Sequence, residues 1–145
     1  MAQPSSTRYK AYHQASQTLA KTRQVVMLYD GAIRFLTQAK DAALQGDAER
    51  RYFKLARVGD ILTALQASLD AEEGRDVAAK LHQFYQSLII KVLHLHYATR
   101  AQDYTTVLEE LKTMRAVWDA IDRDGHGAAS TAMPALRQEP AAHSA

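Results

Sequence analysis

The sequence predicts an all-α fold: an antiparallel up-down four-helix bundle with a loosely docked N-terminal arm or short helix. Three observations predict it. Four stretches repeat apolar residues at intervals of three and four, the spacing that places them on one face of a helix. Breaks of a few residues, most bearing Gly or Asp, separate the stretches, and links this short force sequence neighbours to run antiparallel. No strand-like alternation and no Asn-Gly hairpin signal occurs in the 145 residues, so nothing argues for a sheet.

Residues 1–8 are polar, with Pro4 ahead of two serines and a threonine, and disorder is expected there. Tyr9, Tyr12, Ala15 and Leu19 recur weakly. They fit a short amphipathic helix that is too marginal to stand alone. The first strong helix is predicted from about Arg23 to Gln45. Its stripe is Val25, Leu28, Tyr29, Ala32, Phe35, Leu36, Ala39 and Ala43. Arg34 lies opposite, four residues after Asp30, a stabilising orientation for an exposed pair. Gly31 falls at the edge of the stripe and costs about 1 kcal/mol relative to alanine. Close approach of another backbone, from a neighbouring helix or a bound chain, would explain it. Gly46-Asp47 then reads as a stop followed by an N-cap.

The second helix is predicted from about Ala48 to Glu72, with Tyr52, Leu55, Gly59, Leu62, Leu65 and Leu69 as its stripe. Gly74 ends it and Asp76 caps the next. The third, from about Val77 to Thr99, uses Val77, Leu81, Phe84, Tyr85, Leu88, Val92 and Leu95. The fourth runs from near Asp103 to near Arg123 on Tyr104, Val107, Leu111, Met114, Trp118 and Ile121. Thr106 with Glu109 forms a capping box if that helix starts later. Gly125 and Gly127 break the pattern, and the remainder has no stable period. The expected domains are a flexible basic arm over 1–22, a bundle over 23–123 and a disordered tail over 124–145.

This length suits one domain with a real core. Cysteine is absent, which excludes disulfides and thiolate metal sites. No apolar run is long enough to span a membrane, and the N-terminus lacks a signal-peptide core. The expected location is cytoplasmic. Residues 1–23 carry Arg8, Lys10, Lys21 and Arg23 without an acid, a net +4. Residues 24–123 hold 13 Lys/Arg against 14 Asp/Glu, a net −1. The basic arm, with Tyr9 and Tyr12 suited to base stacking, supports an alternative reading as a small helical nucleic-acid-binding module. The balanced body offers that reading no basic face.

Enzyme chemistry finds no foothold. His94 and His96 stand two apart, about 200° around a helix, and cannot share an ion. Di-iron Glu-x-x-His pairs and HExxH are absent, as are GxSxG, a phosphate loop and a Cys nucleophile. No stripe position is Asp, Glu, His or Ser, which is poor ground for acid–base work. No catalytic residue, cofactor or metal is expected.

The surplus of apolar residues says more. Ile89, Ile90, Leu93 and Tyr97 lie outside the third stripe, Phe53 and Ile61 outside the second, and Val117 outside the fourth. Val26 and Ile33 widen the first. A contiguous apolar patch on a bundle marks a partner site, and a partner helix would lie in it by the helix-in-groove mode. The candidate partner-binding residues are Tyr9, Tyr12, Ile33, Phe53, Ile61, Ile90, Leu93, Tyr97 and Val117. Tyr9 and Tyr12 would form a movable cover. Ile89 is assigned to the core.

Several blocks resemble one family in order and spacing. LYDGAIRFL at Leu28–Leu36 resembles the signature of FliS, the flagellin-specific export chaperone. YKAY at Tyr9–Tyr12 is similar to that family's tyrosine-bearing arm, and ILTALQASLD at Ile61–Asp70 to its second helix. FYQSLI at Phe84–Ile89 and VLEELKTMRAVWDAI at Val107–Ile121 resemble the third and fourth. The resemblance covers residues 9–123. Where many relatives have a Ser-Pro lead-in, this chain has Ala20-Lys21-Thr22-Arg23-Gln24. The resemblance implies a non-catalytic helical bundle that holds the disordered C-terminal segment of flagellin, prevents premature polymerisation and assists flagellar type III secretion. The export gate is a second implied partner. Nucleic acid and membrane insertion are not expected, and the chain is expected as a monomer or weak homodimer.

Overall fold

The computed structural model describes residues 3–69 and 75–125, without the side chains of 3–8, 11–20 and 75. The expectations for the Tyr12 side chain, the Gly74 stop and residues 126–145 lie outside the described residues. The four helices are α1 (Gln3–Leu44), α2 (Ala48–Ala67), α3 (Arg75–Leu95) and α4 (Ala101–Asp124). No strand occurs among the described residues. Helix α1 packs on α2 and α4, and α3 on α2 and α4. This is the up-down order, with α1 diagonal to α3. Backbones approach least along the α3–α4 seam.

The first helix begins some twenty residues earlier than its apolar stripe predicts. Between Pro4 and Gly31 the chain has neither glycine nor proline, so nothing interrupts hydrogen bonding once α1 has started. Pro4 itself sits in the first turn, where its missing N–H costs nothing. At 42 residues, α1 is about 63 Å long at 1.5 Å per residue, roughly twice its partners. Its N-terminal half therefore reaches beyond the bundle.

Two of the predicted stops are used, at Gly46 and Gly125, whereas α2 ends at Ala67, five residues before the predicted Glu72. Gly46 takes φ 74°, a left-handed conformation that suits glycine at a helix end. The Asp47 carboxylate accepts from the Arg50 backbone N–H at 3.0 Å, capping α2. Gly125 closes α4 at φ 68°. The Thr106–Glu109 capping box does not form. Helix α4 starts at Ala101 with Arg100 before it and no side-chain cap, and the Thr106 hydroxyl donates to the Gln102 carbonyl instead.

The core follows the stripes with two corrections of phase. On α1 the innermost positions are Val26, Tyr29, Ala32, Leu36, Ala39 and Ala42. Val26, expected to widen the stripe, is core, while Val25, Leu28, Phe35 and Ala43 form half-buried flanks. On α2 the buried row is Leu55, Val58, Leu62, Leu65 and Leu69. Alternating steps of three and four carry that row back to Arg51, not Tyr52. Arg51 is half-buried and donates to the Ala98 carbonyl at 3.4 Å, while Tyr52 is exposed. Stripes α3 and α4 are buried as expected, apart from half-buried Phe84. Leu108 joins the α4 row.

Two tyrosine features join the helices. The Tyr29 hydroxyl donates to the Tyr85 hydroxyl at 2.8 Å, linking α1 to α3 across the diagonal. The Tyr104 hydroxyl lies 2.9 Å from the Leu95 carbonyl and 3.0 Å from that of Ala98. Its one proton is thus within reach of either carbonyl just where α3 ends and leaves acceptors open, four residues before the predicted Thr99.

Candidate functional site

The bundle keeps two apolar surfaces outside its core. The first is on α3. Ile90, Leu93 and Tyr97 are 45%, 57% and 89% exposed. Ile90 and Leu93 share one helix face by their three-residue spacing, and Tyr97 continues it from the turn after α3. That face borders α2, because Gln66 of α2 bonds to the His82 carbonyl and to Gln86, one turn before Ile90. At the end of this surface Tyr52 packs edge-on to Phe53, ring centroids 5.4 Å apart, and lies tilted against His96 at the same centroid distance of 5.4 Å. Phe53 is 58% exposed. Burial and the Arg51 cation hold the His96 pKa below its ordinary value. Tyr52, expected in the core, is the residue of this surface that sequence reasoning missed. Its signal was the four-residue step from Arg51 to Leu55.

The second surface is a groove of about 490 Å³ between α1 and α2. Gly31 forms its floor, with Met27, Leu28, Phe35 and Ile61 as walls. A methyl on Gly31 would lie 3.3 Å from Ile61 Cδ1. The close neighbour that Gly31 admits is therefore a side chain of α2, not a backbone. Met27 is 64% exposed at the groove edge. Phe35 carries two cations over its ring, the Arg34 guanidinium at 5.2 Å and the Lys54 ammonium at 5.4 Å. The expected Asp30–Arg34 pair is not made. Asp30 instead accepts two bonds from Arg115 of α4, and this bond raises the Arg115 pKa.

The remaining candidates divide by position. Ile61 lines the groove. Ile33 and Val117 are half-buried against the core, as is Ile89. Tyr9 is 70% exposed on the N-terminal extension of α1. The continuous helix holds it at the opposite end of the bundle from Tyr97. Tyr9 and the α3 surface are thus not brought together here.

Among the described residues no group of three or more His, Asp or Glu is placed to hold a metal ion. Among the described residues no helix is long and apolar enough to cross a membrane.

Residues 4–125 match a family model described as "FliS: Flagellar protein FliS". The chain is similar to the flagellar secretion chaperone FliS of Vibrio cholerae, 30% identical over 70% of this chain and 75% of that protein. It is 29% identical to the Salmonella typhimurium protein of the same name, over 77% of this chain and 87% of the relative. The Campylobacter jejuni protein of that name is 35% identical over 53% of this chain and 61% of its own.

Proposed function

This chain belongs to the FliS family, and on that footing we propose that it is a cytoplasmic flagellin-binding export chaperone. It holds the disordered C-terminal segment of flagellin, keeps subunits from polymerising early and assists their delivery to the flagellar type III export gate. No bond of the substrate is made or broken. The observation that carries this reading is the exposed apolar face of Ile90, Leu93 and Tyr97, continued by Phe53 beside it. Leaving such groups in water is unfavourable by about 25 cal/mol per Å², and an incoming apolar segment removes that cost. A disordered segment loses chain entropy when it docks, so it needs a large apolar interface. The α1–α2 groove at Ile61 extends that interface to a second side of the bundle. Ile33 and Val117 support it from the half-buried flanks. Tyr9 and Tyr12 act as a cover only after the N-terminal part of α1 leaves its straight course.

The test is a calorimetric titration of the flagellin C-terminal segment into wild type and Ile90→Asp/Leu93→Asp. Wild type is expected to bind at micromolar concentration or tighter, and the double variant to stay helical and bind at least tenfold more weakly (about 1.4 kcal/mol). A wild type that does not bind at micromolar concentration would sink the reading. A folded double variant that binds normally would move the site off α3.

A further inference from the structure

The groove between α1 and α2 has a feature that a purely apolar docking surface does not need. Arg34 and Lys54 come from different helices and both settle over the ring of Phe35, at 5.2 and 5.4 Å from its centroid. A ring face attracts a cation by its quadrupole, but two like charges at one ring repel. The arrangement lacks a counter-charge. Neither cation has a carboxylate partner among the described residues. The acid nearest Arg34 along α1, Asp30, is taken by Arg115. Around Lys54, residues 50–57 carry Arg50, Arg51, Lys54 and Arg57 without an acid. Arg34 lines an apolar cleft that also holds Gly31, about one helical turn away, and Lys54 stands next to that cleft across the Phe35 ring.

We propose that the α1–α2 groove takes an amphipathic helix bearing an apolar residue and a carboxylate one turn apart. The apolar side chain seats in the cleft against Met27, Leu28 and Ile61, and the carboxylate sits between Arg34 and Lys54. A helix is the occupant because its own backbone hydrogen bonds are satisfied before it enters an apolar cleft. Its i, i+3 and i+4 neighbours also share one face at the rise that separates Gly31 from Arg34 and Phe35. The inference rests on the flagellin reading for the partner's identity. It adds which chemistry of that segment this groove selects, and it names Arg34 and Lys54 as the residues that make the selection.

The experiment titrates two probes, the flagellin C-terminal segment as it stands and the same segment with every Asp and Glu changed to Asn and Gln. Wild type is expected to bind the acidic probe about tenfold more tightly, the scale of one charge-assisted contact. Arg34→Gln/Lys54→Gln should bind both probes alike, and Arg34→Glu/Lys54→Glu should favour the amide probe. Arg34 is exposed and Lys54 half-buried, so both variants leave the core residues untouched. Binding by wild type with no preference between the probes overturns this inference and leaves the flagellin reading standing. Failure of wild type to bind either probe overturns both. A chain ending at Gly125 is expected to bind as wild type does. Tenfold tighter binding by that chain would make residues 126–145 the groove's occupant and overturn the assignment.

Discussion

The Tyr29–Tyr85 bond gives the sharpest test of how the bundle holds its diagonal. Both side chains are essentially excluded from water, at 0% and 1% exposure, and the bond is 2.8 Å long. Tyr29→Phe removes the donor and strands the Tyr85 oxygen, while Tyr85→Phe strands the Tyr29 proton. Each single variant should therefore lose about 1–3 kcal/mol, the cost of a buried polar group left unpaired. The double variant replaces both partners with apolar rings of the same shape and should recover most of that loss. The coupling energy of the cycle is the sum of the two single losses less that of the double, so it is expected at about 2 kcal/mol or more. Urea unfolding followed by helicity measures it, with Trp118, the chain's only tryptophan and a neighbour of the pair, as a second probe. A double variant as unstable as the sum of the singles would refute the reasoning. So would single variants within about 0.3 kcal/mol of wild type, since the pair would then contribute nothing that water does not.

The same pair predicts alkaline sensitivity. Burial pushes the Tyr85 hydroxyl up to about 12, and burial followed by the Tyr85 neighbour raises Tyr29 further. Below the unfolded value near 10 the contribution to stability is complete. Above it the unfolded chain loses its protons first, and stability should fall by about 1.4 kcal/mol per pH unit for each tyrosine. Urea midpoints from about pH 9 to pH 11 should drop steeply for wild type and less for the double phenylalanine variant; parallel slopes would contradict the assignment. Gly31→Ala gains about 1 kcal/mol of helix propensity. Its new methyl meets two movable side-chain ends, Ile61 Cδ1 at 3.3 Å and an Arg34 guanidinium nitrogen at 4.0 Å. The variant should unfold at equal or higher urea, and a clear loss of stability would show that Ile61 cannot yield.

Much of the bundle was legible because its signals are local. The pair Gly46-Asp47 announces one turn by needing a left-handed residue and then a cap. The stripes of α3 and α4 are long and regular, and a helix with that period has one way to bury them. Legibility failed where two choices were locally equal. On α1, Val25 and Val26 are chemically the same, and only the positions of α2 and α4 decide that Val26 is inside. On α2, Tyr52 looks like a core residue, but the row reaches Arg51, whose guanidinium is needed at the Ala98 carbonyl. The N-terminal break was overestimated, because a weak stripe predicts weak docking and not the end of a helix. Ile90, Leu93 and Tyr97 were found by elimination, since a regular stripe elsewhere on α3 leaves them no place in the core.

The amino-acid sequence alone determined the all-α class, the four helices, two of their stops and the LYDGAIRFL block that marks the family. These depend on spacing and on backbone preferences that act within a few residues. Only the tertiary structure decided which carboxylate Arg34 and Arg115 compete for, and it gave Asp30 to Arg115. It also brought Ile61 within reach of Gly31 and set Arg34 and Lys54 over one ring. Contacts between helices depend on their relative rotation. That rotation is fixed by the sum of the packing around the core and not by any one segment.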